Sequence, residues 1–200
     1  MNSEQGSGER HFHEIRFHGR GGQGVVSAAA LLALAAFEDG YESQAFPRFG
    51  SERRGAPVEA YVRISSAPIR AHNQVYTPDA VVIQDAGLLR SEPLLRGLRS
   101  GGLVVLNSEQ RPAESEGGDD GLRWICLPAS RIGERHLGRP LPNTALLGAL
   151  AAASGWVGLP TLERVIASHL AAKGEETVKA NIEALREGHR WGLQAEEAAS

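Results

Sequence analysis

The chain has 200 residues, a formal net charge of −3, and 42% apolar and 22% charged residues. This length suits a single domain with a full hydrophobic core, and the slightly acidic balance gives no basis for binding nucleic acid or an anionic membrane. Cys126 is the only cysteine. An intramolecular disulfide is therefore impossible, and the chain alone cannot supply the four thiolates that hold a [4Fe–4S] cluster.

Residues 1–10 are polar and lack the apolar segment of a signal peptide. We therefore expect a flexible lead-in there and a cytoplasmic location. The apolar run over residues 25–37 is too short to span a bilayer. We expect one domain over residues 11–190, followed by a tail over residues 191–200.

The first predicted elements are a strand, a glycine loop and a helix, in that order. The strand covers residues 14–18 and the glycine-rich loop follows at once over residues 19–24. Residues 25–38 are rich in alanine and leucine, which favours a helix, and Gly40 is placed to end it.

Further strands are predicted through the middle of the chain. A weak strand signal covers residues 41–45, and the alternation of apolar and polar residues over 58–65 predicts a half-buried strand near a sheet edge. Short apolar runs typical of buried strands are present at residues 79–84, 102–107 and 122–127. We expect Gly87–Leu98 to form a crossover helix and Gln110–Gly121 to form a mobile surface loop.

The last third of the chain is predicted to be helical, with helices over residues 130–137, 143–154, 161–170 and 175–187. Strands that alternate with helices and then give way to a helical segment indicate an α/β fold. We therefore predict a single Rossmann-like, doubly wound domain with a mostly parallel sheet and a helical C-terminal third.

The glycine loop fits the dinucleotide-binding pattern G-x-G-x-x-G through Gly19, Gly21 and Gly24. In that pattern the glycines permit a tight turn and the free amides of the helix N-terminus bind a phosphate. The acid expected about 20 residues later to bind the ribose is poorly placed, because only Glu42 could serve. The open alternatives are a cofactor-binding loop formed by Gly19, Gly21, Gly22, Gln23 and Gly24, or a loop that packs tightly or meets a partner subunit.

An arginine-rich segment over residues 46–65 runs into the alternating strand, and its candidate functional residues are Arg48, Glu52, Arg53, Arg54, Gly55 and Arg63. The neighbouring aromatic residues and prolines give this segment apolar anchors. Arginines beside aromatic residues are typical of protein interfaces, while clustered guanidinium groups can also bind phosphate or carboxylate. An interface, an anion site and an ordinary solvated loop remain open.

Catalytic and metal sites find no support in the sequence. His11, His13 and His18 are close together, but no fourth ligand for zinc is evident. No serine lies in a nucleophile elbow, and the apolar neighbours of Cys126 indicate an unreactive strand residue. We predict no catalytic residue and no metal ligand in this chain.

The two motifs together resemble the gamma subunit of 2-oxoacid:ferredoxin oxidoreductases. Gly19, Gly21, Gly22, Gln23 and Gly24 match that family's G-x-G-G-Q-G, and the second match is Gly50-Ser51-Glu52-Arg53-Arg54-Gly55 with Arg63-Ile64-Ser65. The form Glu-Arg-Arg-Gly-Ala-Pro-Val is more similar to the pyruvate branch than to the 2-oxoglutarate or indolepyruvate branches. Related enzymes of this type act on aromatic acids such as phenylglyoxylate.

This resemblance implies a complex that uses thiamine diphosphate with Mg²⁺, coenzyme A and [4Fe–4S] clusters to oxidise a 2-oxoacid to an acyl-CoA. It implies thiamine-binding alpha and beta subunits and a ferredoxin-like delta subunit, with an FAD-bearing subunit where NAD replaces ferredoxin as acceptor. The gamma subunit would bind no redox centre, and it would assemble the complex and help to shape the coenzyme A or thiamine site. The alternative from another class is a stand-alone NAD(P)-binding oxidoreductase.

Overall fold

The computed structural model describes residues 12–48, 55–71, 73–112 and 121–199, within which lie six strands and five α-helices. The strands are β1 (Phe12–Arg20), β2 (Glu42–Arg48), β3 (Pro57–Ser65), β4 (Ala80–Ile83), β5 (Leu103–Asn107) and β6 (Arg123–Leu127). The helices are α1 (Val25–Glu38), α2 (Ala129–Leu137), α3 (Asn143–Ser154), α4 (Leu159–Leu170) and α5 (Glu175–Ala199).

The six strands form one sheet in the order β2-β3-β1-β4-β5-β6. Strands β1, β4, β5 and β6 are parallel neighbours, while β3 runs antiparallel between β1 and β2. Five strands therefore point one way and only β3 points the other. The mixed, mostly parallel sheet and the helical C-terminal third confirm the predicted α/β class.

One face of the sheet is covered by the five helices and holds the main core. Ile15 and Phe17 of β1 and Val82 of β4 point into this layer and are fully buried. Alanine dominates the buried side of α1. Small side chains let that helix lie close to the strands, which explains why a sequence with few large residues still closes a continuous core.

The second face of the sheet lacks an α-helix in the described residues and has its own smaller core, in which Leu88 and Leu94 pack on Val81 and Leu106. The predicted crossover helix over Gly87–Leu98 is wrong. A short 3-10 helix over Ala86–Arg90 and a series of turns take its place. Pro93 cannot continue a helix because it lacks an N–H. The crossover is also too short to form another helix after Pro93.

Strand β3 lies one place in from the sheet edge, and both of its faces are covered. Tyr61, Arg63 and Ser65 belong to the face that the alternation assigns to solvent, yet each is buried. Arg63 donates to the carbonyl oxygens of Asn73 and Gln74, so the segment after β3 folds back over this face. The strand itself was predicted correctly, and its half-buried character was not.

Helix α5 is longer than predicted. It runs through Ala199, so residues 191–199 continue the domain's last helix instead of forming a tail. Gly192 packs against Ala149 and Ala152 of α3, and Glu196 forms an ion pair with Arg123 of β6 over 2.6 Å. The predicted lead-in over residues 1–10 lies outside the described residues.

Candidate functional site

The glycine loop and the start of β3 contact each other directly through the backbone. The Gly21 N–H donates to the Ala56 carbonyl over 3.0 Å, and the Gly55 N–H donates back to the Gly21 carbonyl over 3.4 Å. Arg20 adds a side-chain hydrogen bond from Nη1 to the Gly55 carbonyl over 3.1 Å. The two motifs that stand about 30 residues apart in sequence therefore form one structural unit.

This unit lies where β1 and β4 end side by side. After β1 the chain crosses to the β2 side of the sheet, and after β3 it reaches β4 on the other side, so the two strand ends flank a point where the strand order reverses. Ligands of open α/β sheets bind at such points. Arg20 and Asp85 join the two ends by an ion pair of 2.8 Å between Nε and Oδ2.

Two glycines of the loop are required by close packing. A Cβ at Gly19 would lie 2.7 Å from Cγ2 of Val25, and a Cβ at Gly24 would lie 2.6 Å from Nδ2 of Asn143. Gly24 also has a φ of +77°, a conformation that side chains rarely adopt. These contacts support the close-packing interpretation of the loop.

Polar groups of the glycine loop also form hydrogen bonds with one another. The side-chain oxygen of Gln23 accepts a hydrogen bond from the Arg20 N–H over 2.7 Å, and the Gln23 N–H donates to the Arg20 carbonyl over 3.1 Å. Together with the bond from Gly21 to Ala56, two loop amides are occupied within the chain. Gly22 differs, because the space where its Cβ would lie is open. The loop is therefore stiff, with one open side at Gly22.

That open side faces a cavity of about 400 Å³, which we call the loop-side cavity. It lies between the glycine loop and the helices α2 to α5. Its polar and charged lining includes Asn143, Asn181, His136, His169, Arg139 and Lys173, together with one carboxylate, Glu176. Two cations, two imidazoles and two amides beside a helix N-terminus form a set suited to an anionic group such as a phosphate.

His136 is fixed in this cavity by Glu187 of α5, with 2.7 Å between Nε2 and Oε2. Arg135 contacts the same carboxylate over 2.6 Å. Burial opposes ionisation of Glu187, but the hydrogen bond from His136 and the charge of Arg135 outweigh burial and lower the pKa of Glu187. Glu187 therefore stays ionised at neutral pH and orients the imidazole of His136.

The acids near the expected ribose-binding position lie elsewhere. Glu42 pairs with Ser65, which in turn faces Phe12, so it lies at the start of β1 while the loop follows its end. Eight residues of strand separate those two ends, which is about 26 Å. Asp39 accepts a hydrogen bond from the Gly158 N–H, and Glu38 forms an ion pair with Arg164.

The candidate residues of the arginine-rich segment lie in four different settings. Arg48 is exposed and pairs with Glu59 over 3.1 Å. Gly55 is exposed and contacts the glycine loop. Glu52, Arg53 and Arg54 lie outside the described residues.

Arg63, the remaining candidate in that segment, is only 2% exposed. Its donors are engaged by Glu14 and by the carbonyl oxygens of Ala71, Asn73 and Gln74. These contacts give Arg63 a structural part in the chain itself. A direct contact with a partner or an anion is not favoured by this geometry.

No group of three or more metal-ligating side chains is found within residues 12–48, 55–71, 73–112 and 121–199. Cys126 is half-buried, and burial raises the pKa of its thiol to about 11, with Arg111 partly opposing that effect. The described helices include none that is long and apolar enough to cross a bilayer.

Sequence reasoning missed Asp85, Arg139 and Lys173. Asp85 had a usable signal, because it lies two residues after the end of a buried apolar strand and polar residues in that position lie at the ligand-binding edge of a parallel sheet. Arg139 and Lys173 follow α2 and α4 and reach the loop only through the packing of those helices. No sequence pattern predicts such an arrangement.

Residues 14–191 match the family described as pyruvate ferredoxin/flavodoxin oxidoreductase. The chain is 47% identical over 153 residues to the pyruvate synthase subunit PorC of Methanosarcina barkeri, covering 76% of this chain and 84% of that protein. It is 46% identical over 174 residues to the common subunit gamma of the pyruvate/ketoisovalerate oxidoreductases of Thermococcus kodakarensis, covering 86% of this chain and 94% of that protein.

The fold is similar to the crystal structure of the pyruvate oxidoreductase subunit PORC from Thermotoga maritima. The TM-score is 0.77 at 36% identity, with 90% of this chain and 97% of that chain covered. Because these alignments cover most of both chains, the likeness extends over the whole domain and not over the glycine loop alone.

Proposed function

The chain belongs to the pyruvate ferredoxin/flavodoxin oxidoreductase family, and we propose that it serves as the gamma subunit in oxidative decarboxylation of a 2-oxoacid to an acyl-CoA. The observation that carries this proposal is the near full-length likeness to gamma-type subunits, at 44–48% identity in sequence. The glycine loop and the β3 start form one packed unit, as expected of a domain that presents both motifs together.

We propose that the partners are thiamine-binding alpha and beta subunits and a ferredoxin-like delta subunit that carries the [4Fe–4S] clusters. The single cysteine supports this division, because the chain cannot hold a cluster alone. We propose pyruvate as the substrate of the complex and ferredoxin as its electron acceptor. We place the complex in the cytoplasm.

The test is copurification of the tagged chain from its native host at low salt. Subunits that contain thiamine diphosphate and iron–sulfur clusters are expected to elute with it, together with 2-oxoacid-dependent reduction of a viologen dye. A chain that elutes alone as a stable monomer would contradict the proposal. Mass spectrometry of the copurified subunits also identifies an added flavin subunit.

Within the complex, we propose that the loop-side cavity binds phosphate groups of coenzyme A. Arg139 and Lys173 supply full positive charges there, and the open side of Gly22 leaves room for a phosphate beside the N-terminus of α1. Free amides at a helix N-terminus and cationic side chains both favour phosphate binding. Coenzyme A supplies the thiol that accepts the acyl group.

This part is tested by the double variant Arg139→Gln, Lys173→Gln in the assembled complex. The KM for coenzyme A is expected to rise by about tenfold or more, since a charged hydrogen bond contributes roughly 1.5–3 kcal/mol, while the KM for the 2-oxoacid stays constant. Lys179→Gln is the matched control, because Lys179 is exposed on α5 and does not line the cavity. A KM for coenzyme A that does not change would contradict it.

The stand-alone NAD(P)-binding alternative is not favoured. The acid that should bind the ribose lies at the opposite end of β1, and the loop amides at Gly21 and Gln23 are occupied within the chain. Calorimetric titration of the chain with NADH and NADPH is expected to give no heat of binding. Micromolar affinity would restore this alternative.

A further inference from the structure

A second and larger cavity lies on the sheet face that the helices do not cover. This cavity, which we call the strand-face cleft, has a volume of about 700 Å³, within the range of small-molecule sites. The side chains of β1 and β3 form its floor, and the segment after β4 forms one wall. Its polar lining includes Arg16, His18, Arg48, Glu59, Tyr61 and Tyr76.

Arg16 on the floor of the cleft is only 9% exposed. Its Nη2 donates to the carbonyl oxygens of Leu94 and Arg96 over 2.7 and 2.8 Å. Its Nε is buried and has no hydrogen-bond partner, and no carboxylate among the described residues lies within ion-pair distance. A buried guanidinium without a counter-charge is costly.

His18 is the next residue on the same face of β1 and is 7% exposed. Its Nε2 is also buried without a hydrogen bond, and Oε1 of Glu59 lies 3.8 Å away. Burial holds the imidazole neutral and lowers the pKa of His18 to about 4, with Glu59 opposing that effect. Arg16 and His18 are therefore two buried polar side chains on the floor of the cleft, and each has a ring or guanidinium nitrogen without a hydrogen-bond partner.

Glu59 is shared between Arg16 and Arg48. Its charge favours the charged form of Arg16 and partly opposes the effect of burial on the pKa of Arg16, but Arg48 donates from Nη1 to Oε2 of Glu59 over 3.1 Å. Arg96 and Glu92, both exposed, also line the cleft. The cleft is therefore lined by three arginines and two glutamates, so its net charge is positive. Arg16 is the most buried of these arginines.

We propose that the strand-face cleft binds a small anionic molecule through a carboxylate or phosphate group held by Arg16 and His18. Alternate residues of a strand lie about 7 Å apart, so one oxyanion between the two side chains can accept from both. Such a group would supply the missing counter-charge of Arg16 and the missing partner of His18. Tyr76, which is 65% exposed, would lie beside the ligand at the rim.

This site is separate from the proposed coenzyme A site, because the loop-side cavity lies on the helix-covered side of the domain. The residues that line the two cavities have no member in common. Failure of either proposal therefore leaves the other in place.

The experiment is an NMR titration of the full chain labelled with ¹⁵N-histidine, using sodium phosphate and sodium malonate as separate probes. The imidazole resonances of His18 are expected to shift and to saturate with at least one probe, while those of His189, which lines neither cavity, stay unchanged. Assignment comes from His18→Gln. Chloride at equal ionic strength controls for screening.

Arg48→Gln tests the role of charge without touching the buried floor. Removal of Arg48 leaves the negative charge of Glu59 unbalanced beside the ligand, and we expect this repulsion to make the probe bind about tenfold more weakly. The matched control is Arg164→Gln, an exposed arginine of α4 outside the cleft.

Two results would overturn the proposal. One is the absence of a saturable shift at His18 with either probe. The other is binding to the isolated chain that disappears in the assembled complex, because the cleft would then hold an acidic side chain of a neighbouring subunit and not a small molecule. Binding that persists in the complex and weakens in Arg48→Gln would establish it.

Discussion

Arg63 on β3 donates from Nε to Oε1 of Glu14 on β1 over 2.9 Å. The two side chains are 2% and 10% exposed. The pair joins the antiparallel strand to the parallel part of the sheet. The other Arg63 donors reach the segment that folds over β3, and the Phe46 ring lies 5.4 Å from its Cζ. One side chain therefore connects three parts of the chain.

Replacing Arg63 with methionine is expected to destabilise the protein by about 3 kcal/mol, because it removes the shorter of the two ion pairs of the buried Glu14 carboxylate and leaves only Arg99 at 4.0 Å. Arg63→Lys would recover little, since an ammonium cannot span the same acceptors as the guanidinium fork. Urea unfolding measures both. The control is Arg164→Met, which removes an exposed ion pair of 3.6 Å and should cost less than about 1 kcal/mol.

Gly22 and Gly24 separate the effect of backbone strain from the effect of packing. Both have positive φ, but a Cβ at Gly22 meets no atom within 4 Å, while one at Gly24 meets Asn143 at 2.6 Å. We expect Gly22→Ala to cost about 1–2 kcal/mol through strain alone, and Gly24→Ala to cost more. Urea unfolding of both variants compares them, and equal costs would refute the packing role of Gly24.

The contact between α3 and α5 depends on glycine. A Cβ at Gly188 would lie 1.9 Å from the Ala145 carbonyl oxygen, and one at Gly148 would lie 2.0 Å from the Leu185 carbonyl oxygen. Glycine to alanine normally stabilises a helix by about 1 kcal/mol. Here we expect Gly188→Ala to destabilise by more than about 3 kcal/mol, because backbone must move. Thermal unfolding beside the exposed control Ser168→Ala tests the sign.

The stability of the protein is expected to fall as the pH drops from 6.5 towards 4. The pKa of His18 lies near 4 in the fold and at its ordinary 6.5 in the unfolded chain, so unfolding takes up a proton in that window. His18 therefore contributes stability above pH 6.5 that is lost on acidification, by roughly 3 kcal/mol.

The measurement for His18 is the free energy of unfolding of the wild type and of His18→Gln between pH 4.5 and 7.5. The pKa of His189 is also lowered by burial, and its contribution is common to both proteins. The difference between the two curves therefore isolates His18. Parallel curves would show that His18 does not titrate in this window.

Cys126 is expected to resist alkylation in the folded protein. Burial raises its pKa to about 11, so the thiolate that reacts is about a thousandth of the thiol at pH 8. Iodoacetamide should therefore modify it at least about a hundredfold more slowly than it modifies the chain in urea. Rapid modification of the native protein would place Cys126 in a different environment.

Much of the fold followed from local sequence. Helices α1 and α3 were predicted with the bounds that the structure has, because an apolar run and a terminating glycine are both local signals. The strand that became β3 was recognised from its alternation, although its polar face turned out to be buried. The crossover after β4 and the end of α5 were predicted wrongly, since their form depends on what they pack against.

The candidate site was predictable only in part. The glycine loop was recognised in sequence, and its closeness to Gly55 was not, because a backbone hydrogen bond between distant residues leaves no pattern. The strand-face cleft was also unforeseen. In the sequence His18 was weighed only as a zinc ligand beside His11 and His13, and Arg16 was not singled out.

The sequence by itself determined the family, the α/β class and the absence of cluster-forming cysteines, because each depends on residue identity and spacing along the chain. Tertiary structure decided which polar residues are buried and which charges remain uncompensated. Arg63 and Arg16 are both arginines on inner strands, yet one meets Glu14 and the other meets no carboxylate among the described residues. That difference depends on which segments fold over each strand, and sequence spacing does not encode it.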